Sequence, residues 1–379
     1  MKPIVLVHGE VPPDRVASFR ALHEREGLLI ARFAGARLHA MRGVEDPGVP
    51  VVDVEEREVA RVARGARAVI AGTSGRVALP AAYLGARRAG VPFVLWTALW
   101  AHPRTPAHLA LGTPLLRHLY ARADAVATYG EHVSAFVARR GARNVHVAPQ
   151  AVDAAFWSRE AAAVGGAAAG PAPFHALFVG RVTPEKGILV LLDAWRRAGV
   201  DGELVVVGPG DAPEERSRAA PARPGSPPAR RARTRFTRGS PPARHARTTF
   251  TGPLPAEDVR NFLAGASVLV MPSIATRAFR EPWGLVANEA MHMNVPVIAT
   301  DAVGAAAGGL VRHERNGLIV PANDAKALAA ALRRAAEDDT LRRTLGTNAG
   351  RDVAAFTPEA WAAGIAGAVE SAELRKDRS

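Results

Sequence analysis

Cysteine is absent from the 379 residues, which excludes disulfides, thiolate-held zinc, iron–sulfur clusters and a cysteine nucleophile. Lysine is scarce: four of the 49 basic residues are Lys and the rest are Arg. No apolar run approaches the ~20 residues needed to span a bilayer; the most apolar stretch, Val91 to Ala101, falls far short. The opening MKPIVLVHGE has too short an apolar run for a signal peptide and lacks a small-residue cleavage site. It reads as a first strand ending at Gly9. These absences together give the expectation of a cytoplasmic protein. Several chemistries lack their signature. There is no D-x-D carboxylate pair for a divalent ion, no H-E-x-x-H, no G-x-S-x-G elbow and no G-x-G-x-x-G fingerprint.

Hydrophobic residues make up 48% and charged residues 22%, enough for a sizeable core, so global disorder is excluded. The length fits two to three domains. The net charge of +13 is concentrated: residues 211–250, with ten Arg and three acids, supply +7 of it. Together with heavy Ala and Gly use, the preference for Arg over Lys points to a G+C-rich coding sequence rather than selection for polyanions. A net charge of this size signals nucleic acid or a membrane, and its source weakens that signal.

Short apolar runs alternate with helical stretches through the first half. Ile4–Val7, Leu28–Phe33, Ala68–Ala71, Val91–Leu95, Ala125–Thr128 and Val145–Ala148 read as strands, and Pro13–Glu26 has apolar residues at helical spacing. This predicts a parallel sheet covered on both faces. A linker at 161–173, AAAVGGAAAGPAP, is too poor in large apolar residues to pack. The alternation then restarts with strands Phe174–Gly180, Glu203–Gly208, Thr249–Thr251, Val268–Met271, Pro296–Ala299 and Gly317–Val320. Helices are expected at Gly187–Ala198, Ala256–Ala264 and Gly284–Met293, and in the C-terminal region. The expected fold class is α/β, two doubly wound Rossmann-like domains over residues 1–160 and 174–355, facing a cleft, with a C-terminal helix and tail at 356–379. Ligands of such sheets sit beyond the carboxyl ends of the strands.

The pattern breaks at 212–247. Gly225–Arg238 (GSPPARRARTRFTR) and Gly239–Gly252 (GSPPARHARTTFTG) match at 11 of 14 positions. Two copies are too few for a solenoid. The segment reads as a disordered surface loop left by a coding duplication; the competing reading is an Arg-rich arm for nucleic acid or anionic lipid.

Two motifs carry candidate chemistry. In GRVTPEKG, Gly180 to Gly187, Arg181 and Lys186 flank a Pro-containing turn between a strand and a helix. Helix-start N–H groups, a guanidinium and an ammonium together suit a multiply charged anion such as a diphosphate. In EPWGLVANE, Glu281 to Glu289, Trp283, Gly284, Leu285 and Val286 open a helix, and Gly284 lets backbone amides approach an anion closely. The carboxylates of Glu281 and Glu289 flank that place and can accept hydrogen bonds from sugar hydroxyls. Each residue also has a plain reading as a solvated helix-start or surface charge. Gly9 is a candidate for close approach of a ligand to the backbone, and a tight turn explains it equally well. His102, in WTALWAHP, follows the strand Val91–Leu95 and by itself reads as a histidine packed or solvated in its loop.

Arg181 and Lys186 in GRVTPEKG, VVVGPGD at 205–211, FTGPLP at 250–255, MPS at 271–273, EPWGLVANEAM at 281–291, PVIATDAVG at 296–304 and NGLIVP at 316–321 occur in order. Together they resemble the C-terminal half of a retaining GT-B glycosyltransferase, close to family 4. VAPQAVDAAFW at 147–157 resembles that family's domain junction. The resemblance implies a nucleotide-diphosphate sugar as donor and no further cofactor. It implies diphosphate binding by Arg181, Lys186 and the Gly284–Val286 backbone, donor-sugar contacts by Glu281, ribose contacts by Glu289, and His102 near the anomeric centre. The stretch 212–247 departs from the family, which carries a helix there.

The sequence thus leads to a metal-independent, retaining sugar transfer to an unidentified acceptor, with Arg104, Arg117, Arg122, Arg139, Arg140 and Arg143 suggesting seating on an anionic membrane. The alternatives are a nucleotide-sugar epimerase of similar fold, which acts without an acceptor, and a binding protein with a decayed site whose Arg-rich repeats hold nucleic acid.

Overall fold

The computed structural model describes residues 2–33, 44–73, 75, 77–159, 174–210 and 246–376. The expected linker at 161–173 lies outside the described residues, as does most of the repeat segment.

The first sheet contains β1 (Ile4–His8), β2 (Leu28–Phe33), β3 (Val51–Val54), β4 (Ala68–Gly72), β5 (Phe93–Thr97), β6 (Ala125–Thr128) and β7 (Val145–Val147). Their order is β3-β2-β1-β4-β5-β6-β7, parallel throughout. The second sheet contains β8 (Phe174–Val179), β9 (Gly202–Val207), β10 (Ala246–Gly252), β11 (Val268–Met271), β12 (Val297–Thr300) and β13 (Gly317–Val320), in the parallel order β10-β9-β8-β11-β12-β13. The two doubly wound domains therefore form as expected. The central strands are buried along nearly their whole length, as two-sided coverage by helices requires.

Two places differ from the sequence expectation, and a third settles a position that the sequence left open. β3 was not anticipated; its two middle residues, Val52 and Asp53, face solvent at the sheet edge. β10 starts at Ala246, so the last two residues of the expected 212–247 insertion belong to a strand. The helix Pro358–Lys376 packs on the first domain. Its Trp361, Ile365 and Val369 join Ile4, Leu6, Phe19 and Trp96 in one apolar cluster.

Strand order reverses between β1 and β4 in one sheet and between β8 and β11 in the other. Adjacent crossovers there leave to opposite faces, which opens a crevice at the carboxyl ends. Gly9 follows β1, Arg181 follows β8 and Ser273 follows β11, so both crevices carry residues of interest.

Candidate active site

The turn after β8 is a short 3-10 segment, Pro184–Lys186, leading through Gly187 into the helix Ile188–Ala198. Gly187 has φ +74°, and a Cβ there would lie 1.9 Å from the Pro272 carbonyl oxygen. Glycine is thus required on two counts, and the turn can lie directly against the strand-β11 loop. The Ile274 amide donates to the Glu185 carbonyl at 3.0 Å and ties the two loops together.

That seam brings Lys186 to Glu281. The Lys186 ammonium pairs with Glu281 Oε2, and Ser273 Oγ donates to the same oxygen at 3.0 Å. Glu281 is 5% exposed, so its carboxylate depends on these partners in place of water. Arg181 sits on the same turn with its side chain half-exposed, 3.3 Å from Glu185 Oε1. The pair is chemically open to exchange: an arriving diphosphate competes for Lys186, and sugar hydroxyls compete for the carboxylate.

Beyond Glu281 the chain turns through Gly284, φ +93°, where a Cβ would meet Met271 Cε at 2.2 Å. The helix that follows is Val286–His292, shorter than the expected Gly284–Met293. The Gly284 carbonyl accepts from Ala287 N at 3.0 Å, and the Leu285 carbonyl from Glu289 N at 3.2 Å. The Trp283 side chain packs in the core: the residue is 2% exposed and its indole N–H donates to Asn288 Oδ1 at 2.8 Å.

Glu289 is half-buried. Burial pushes it up to about 8, and the charge of Asp14, reaching across from the first domain, adds to the shift. It is therefore mostly protonated at neutral pH.

The structure does not bring every predicted residue to this centre. The His102 ring faces inward, 5.1 Å from Phe136 and 5.9 Å from both Tyr120 and His108. Burial, then Arg140, His108 and Arg117, lowers its pKa to about 4, and neither ring nitrogen has a hydrogen-bond partner among the described residues. From the same loop it is Trp100 that touches the site, its indole N–H donating to the Glu281 carbonyl at 2.9 Å. Gly9 is buried with no left-handed φ, and a Cβ there would find only Phe33 Cζ at 4.0 Å. Neither the turn nor the packing requires glycine at that position.

Sequence reasoning passed over Ser273, Trp100, Asp14 and His132, whose Nε2 lies 3.5 Å from the Pro282 carbonyl, as residues at the site. Ser273 stood in the quoted MPS motif, and Trp100 two residues before His102. His132 and Asp14 carried no local pattern at all.

The architecture is that of a GT-B protein. Residues 173–338 match the family described as Glycosyl transferases group 1. Over 100 residues the chain is 38% identical to a D-inositol 3-phosphate glycosyltransferase of Nocardioides sp., a stretch covering 26% of this chain and 20% of that protein. The match thus spans about a fifth of that relative's length. Two solved structures cover nearly the whole fold. The Anabaena protein HepE, solved in complex with UDP, superposes with a TM-score of 0.72 at 18% identity, over 98% of this chain and 100% of that one. Sucrose-phosphate synthase of Thermosynechococcus elongatus gives a TM-score of 0.66 at 21% identity, over 100% and 99%.

Proposed function

We propose that this protein is a glycosyltransferase that moves a sugar from a nucleoside diphosphate to an acceptor with retention of anomeric configuration. The carrying observation is the meeting of Lys186 and Glu281 at the carboxyl ends of β8 and β11, a cation and a buried carboxylate held side by side. A nucleotide-diphosphate sugar presents an anion next to a ring of hydroxyls, which is the complement of that pair. HepE binding UDP in the same fold supports this donor class.

In this reading the departing diphosphate gathers negative charge on its leaving oxygen. Lys186, Arg181 turned away from Glu185, and the Gly284–Val286 amides stabilise that charge as an oxyanion site does. The sugar gains oxocarbenium character while Glu281 holds it through a hydroxyl. The leaving phosphate takes the acceptor proton on the same face, which gives retention. This charge balance needs no divalent ion. Glu289 holds the ribose, and contact between the domains excludes water from the reacting centre.

The test is a thermal-shift screen against UDP, GDP, ADP and dTDP and their sugars. One nucleotide family should stabilise the wild type, by about 2.7 kcal/mol at a hundredfold excess over Kd. Lys186→Ala should weaken nucleotide binding by roughly ten- to a hundredfold, the value of a charge-assisted hydrogen bond. Glu281→Ala should weaken the nucleotide sugar more than the bare nucleotide. No response of the wild type to any nucleotide overturns the proposal.

A further inference from the structure

Two loops meet beside Glu281, and their charges do not balance. From residue 59 to residue 123 the chain holds nine Arg and no Asp or Glu, so the loop after β5 has no carboxylate near it in sequence. The facing loop, 273–285, has one acid, Glu281, which Lys186 and Ser273 already engage. The two loops touch at three points. The Arg104 amide donates to the Arg277 carbonyl at 2.6 Å, and the Trp100 indole N–H donates to the Glu281 carbonyl at 2.9 Å. The Arg280 guanidinium lies over the Trp100 ring, 3.7 Å from its centroid.

These contacts bring Arg104, Arg277 and Arg280 to one place. Arg104 and Arg277 are exposed and Arg280 is half-buried. None of the three makes a side-chain hydrogen bond or an ion pair among the described residues. The two cations assigned to the donor differ in this respect, for Arg181 has Glu185 and Lys186 has Glu281. His132, whose ring meets Trp100 nearly perpendicular at 5.1 Å, adds no charge at neutral pH. Burial lowers its pKa to about 4, against the hydrogen bond to Pro282, which raises it. Like charges set near one another repel, and an anion among them relieves the repulsion. The donor diphosphate is accounted for by Arg181 and Lys186, so this second group of cations suits a second anion.

We propose that Arg104, Arg277 and Arg280 form a subsite for a phosphate group on the acceptor, so that the protein glycosylates a phosphorylated hydroxyl compound. This names a substrate class for the nucleotide-sugar reading above and rests on it. The planar fork of a guanidinium matches phosphate oxygens. The first domain contributes Arg104 and the second Arg277 and Arg280, which places the phosphate where the domains meet and the acceptor hydroxyl toward the sugar at Glu281. That hydroxyl oxygen bonds to the anomeric carbon as the bond from this carbon to the diphosphate breaks, and the hydroxyl proton leaves with the diphosphate. The acceptor phosphate changes no bond and sets position alone.

The test begins with protein saturated with UDP, or with the nucleotide that the screen identifies, so that Arg181 and Lys186 are occupied. Inorganic phosphate is titrated in and the melting temperature followed. Phosphate stabilises folded proteins in general, so wild type is compared with Arg104→Gln and Arg277→Gln. Arg88→Gln, on the helix Ala78–Ala89 that ends before β5, removes the same charge from the opposite end of the sheet. Wild type and Arg88→Gln should show a saturable rise. Arg104→Gln and Arg277→Gln should each need about tenfold more phosphate, the value of one charge-assisted hydrogen bond, with nucleotide affinity within about twofold. Release of nucleoside diphosphate then locates the source of the phosphate. Glucose 6-phosphate, fructose 6-phosphate and glycerol 3-phosphate are compared with glucose, fructose and glycerol. Phosphatidylglycerol is compared with diacylglycerol, each carried in phosphatidylcholine vesicles. A preference of at least about tenfold in kcat/KM within a soluble pair, reduced in Arg277→Gln, identifies a soluble phosphate ester; the same preference confined to vesicles identifies a lipid headgroup. Equal phosphate titrations of Arg277→Gln and Arg88→Gln, or transfer to a neutral acceptor as fast as to its phosphate, overturns the subsite. Weakening of the nucleotide as much as of phosphate assigns the arginines to the donor and overturns it too. Failure of the wild type to bind any nucleotide overturns the underlying function instead.

Discussion

Glu289 shows how one residue acquires a pH dependence from its surroundings. Its folded-state pKa of about 8 stands above the ordinary 4.5 because burial, and then Asp14, disfavour the charge. Between those two values the folded chain holds a proton that the unfolded chain has lost, so its contribution to stability declines as pH rises through that window. Glu289→Gln removes the titration and keeps the shape. The variant should gain on the wild type in melting temperature between pH 5 and pH 8, with the smaller difference at pH 5. A difference that stays flat across this range would show that the carboxyl is not protonated in the folded state. Residues of this kind mark the limit of sequence reading. Arg181 and Lys186 were legible as cations beside a helix start that suits an anion, and Glu281 and Glu289 as carboxylates flanking such a place that can accept from hydroxyls. That Lys186 and Glu281 neutralise each other was not, because the contact spans 95 residues and depends on Gly187 lying against Pro272. His102 and Trp100 stand two apart in one loop, and only the packing of Tyr120 and Phe136 decides that the first turns inward.

At the scale of elements, most strands declared themselves as short apolar runs, since central parallel strands are buried on both faces. β3 escaped because it is an edge. Its Asp53 faces solvent and pairs with Arg32 on β2 at 2.6 Å, so the run VVDV carries a charge where a central strand would not. β10, the opposite kind of surprise, begins inside a repeat. Ala232–Arg238 and Ala246–Gly252 offer the sheet nearly the same strand, with Arg235 for Thr249 and Arg238 for Gly252. The second copy is the one whose last position accepts a left-handed backbone. Gly252 has φ +75°, and its carbonyl accepts from Gly208 N at 2.9 Å. No atom lies within 4 Å of its missing Cβ, so the requirement is of the backbone alone. Gly252→Arg, which writes the first copy's residue into the second, should cost about 1–2 kcal/mol in a urea melt. Thr249→Arg should cost almost nothing, because Thr249 is exposed and the half-buried Glu203 that now accepts from it at 2.6 Å can accept from Arg as well. Equal stabilities for Gly252→Arg and wild type would remove this reason for the choice of copy.

The whole molecule is closed by the chain's last helix. Sequence periodicity placed a helix near 356–379 and gave it no position, because a run of Ala and Gly broken by Trp361, Ile365 and Val369 fits either domain equally well. Its partners are fixed by shape. A Cβ on Gly364 would lie 2.3 Å from the Val147 carbonyl oxygen, so the helix backbone rests directly on the end of β7. Trp361 then fills the space between Phe19 at 5.6 Å and Trp96 at 5.3 Å, at 1% exposure. The chain therefore passes between the domains twice, once before β8 and again before Pro358. A double connection confines domain movement more than a single linker does. Trp361→Ala should remove about 3–5 kcal/mol, as for other large aromatic truncations in a core. Because the cavity lies in the first domain alone, the loss should appear in calorimetry as an early transition separated from that of the second domain. If the site on the second domain is built as described, nucleotide added to this variant should raise the later transition and leave the earlier one nearly unmoved. A single transition that falls as a unit would instead show that the contacts from Trp100, Arg104 and His132 bind the two domains into one cooperative body.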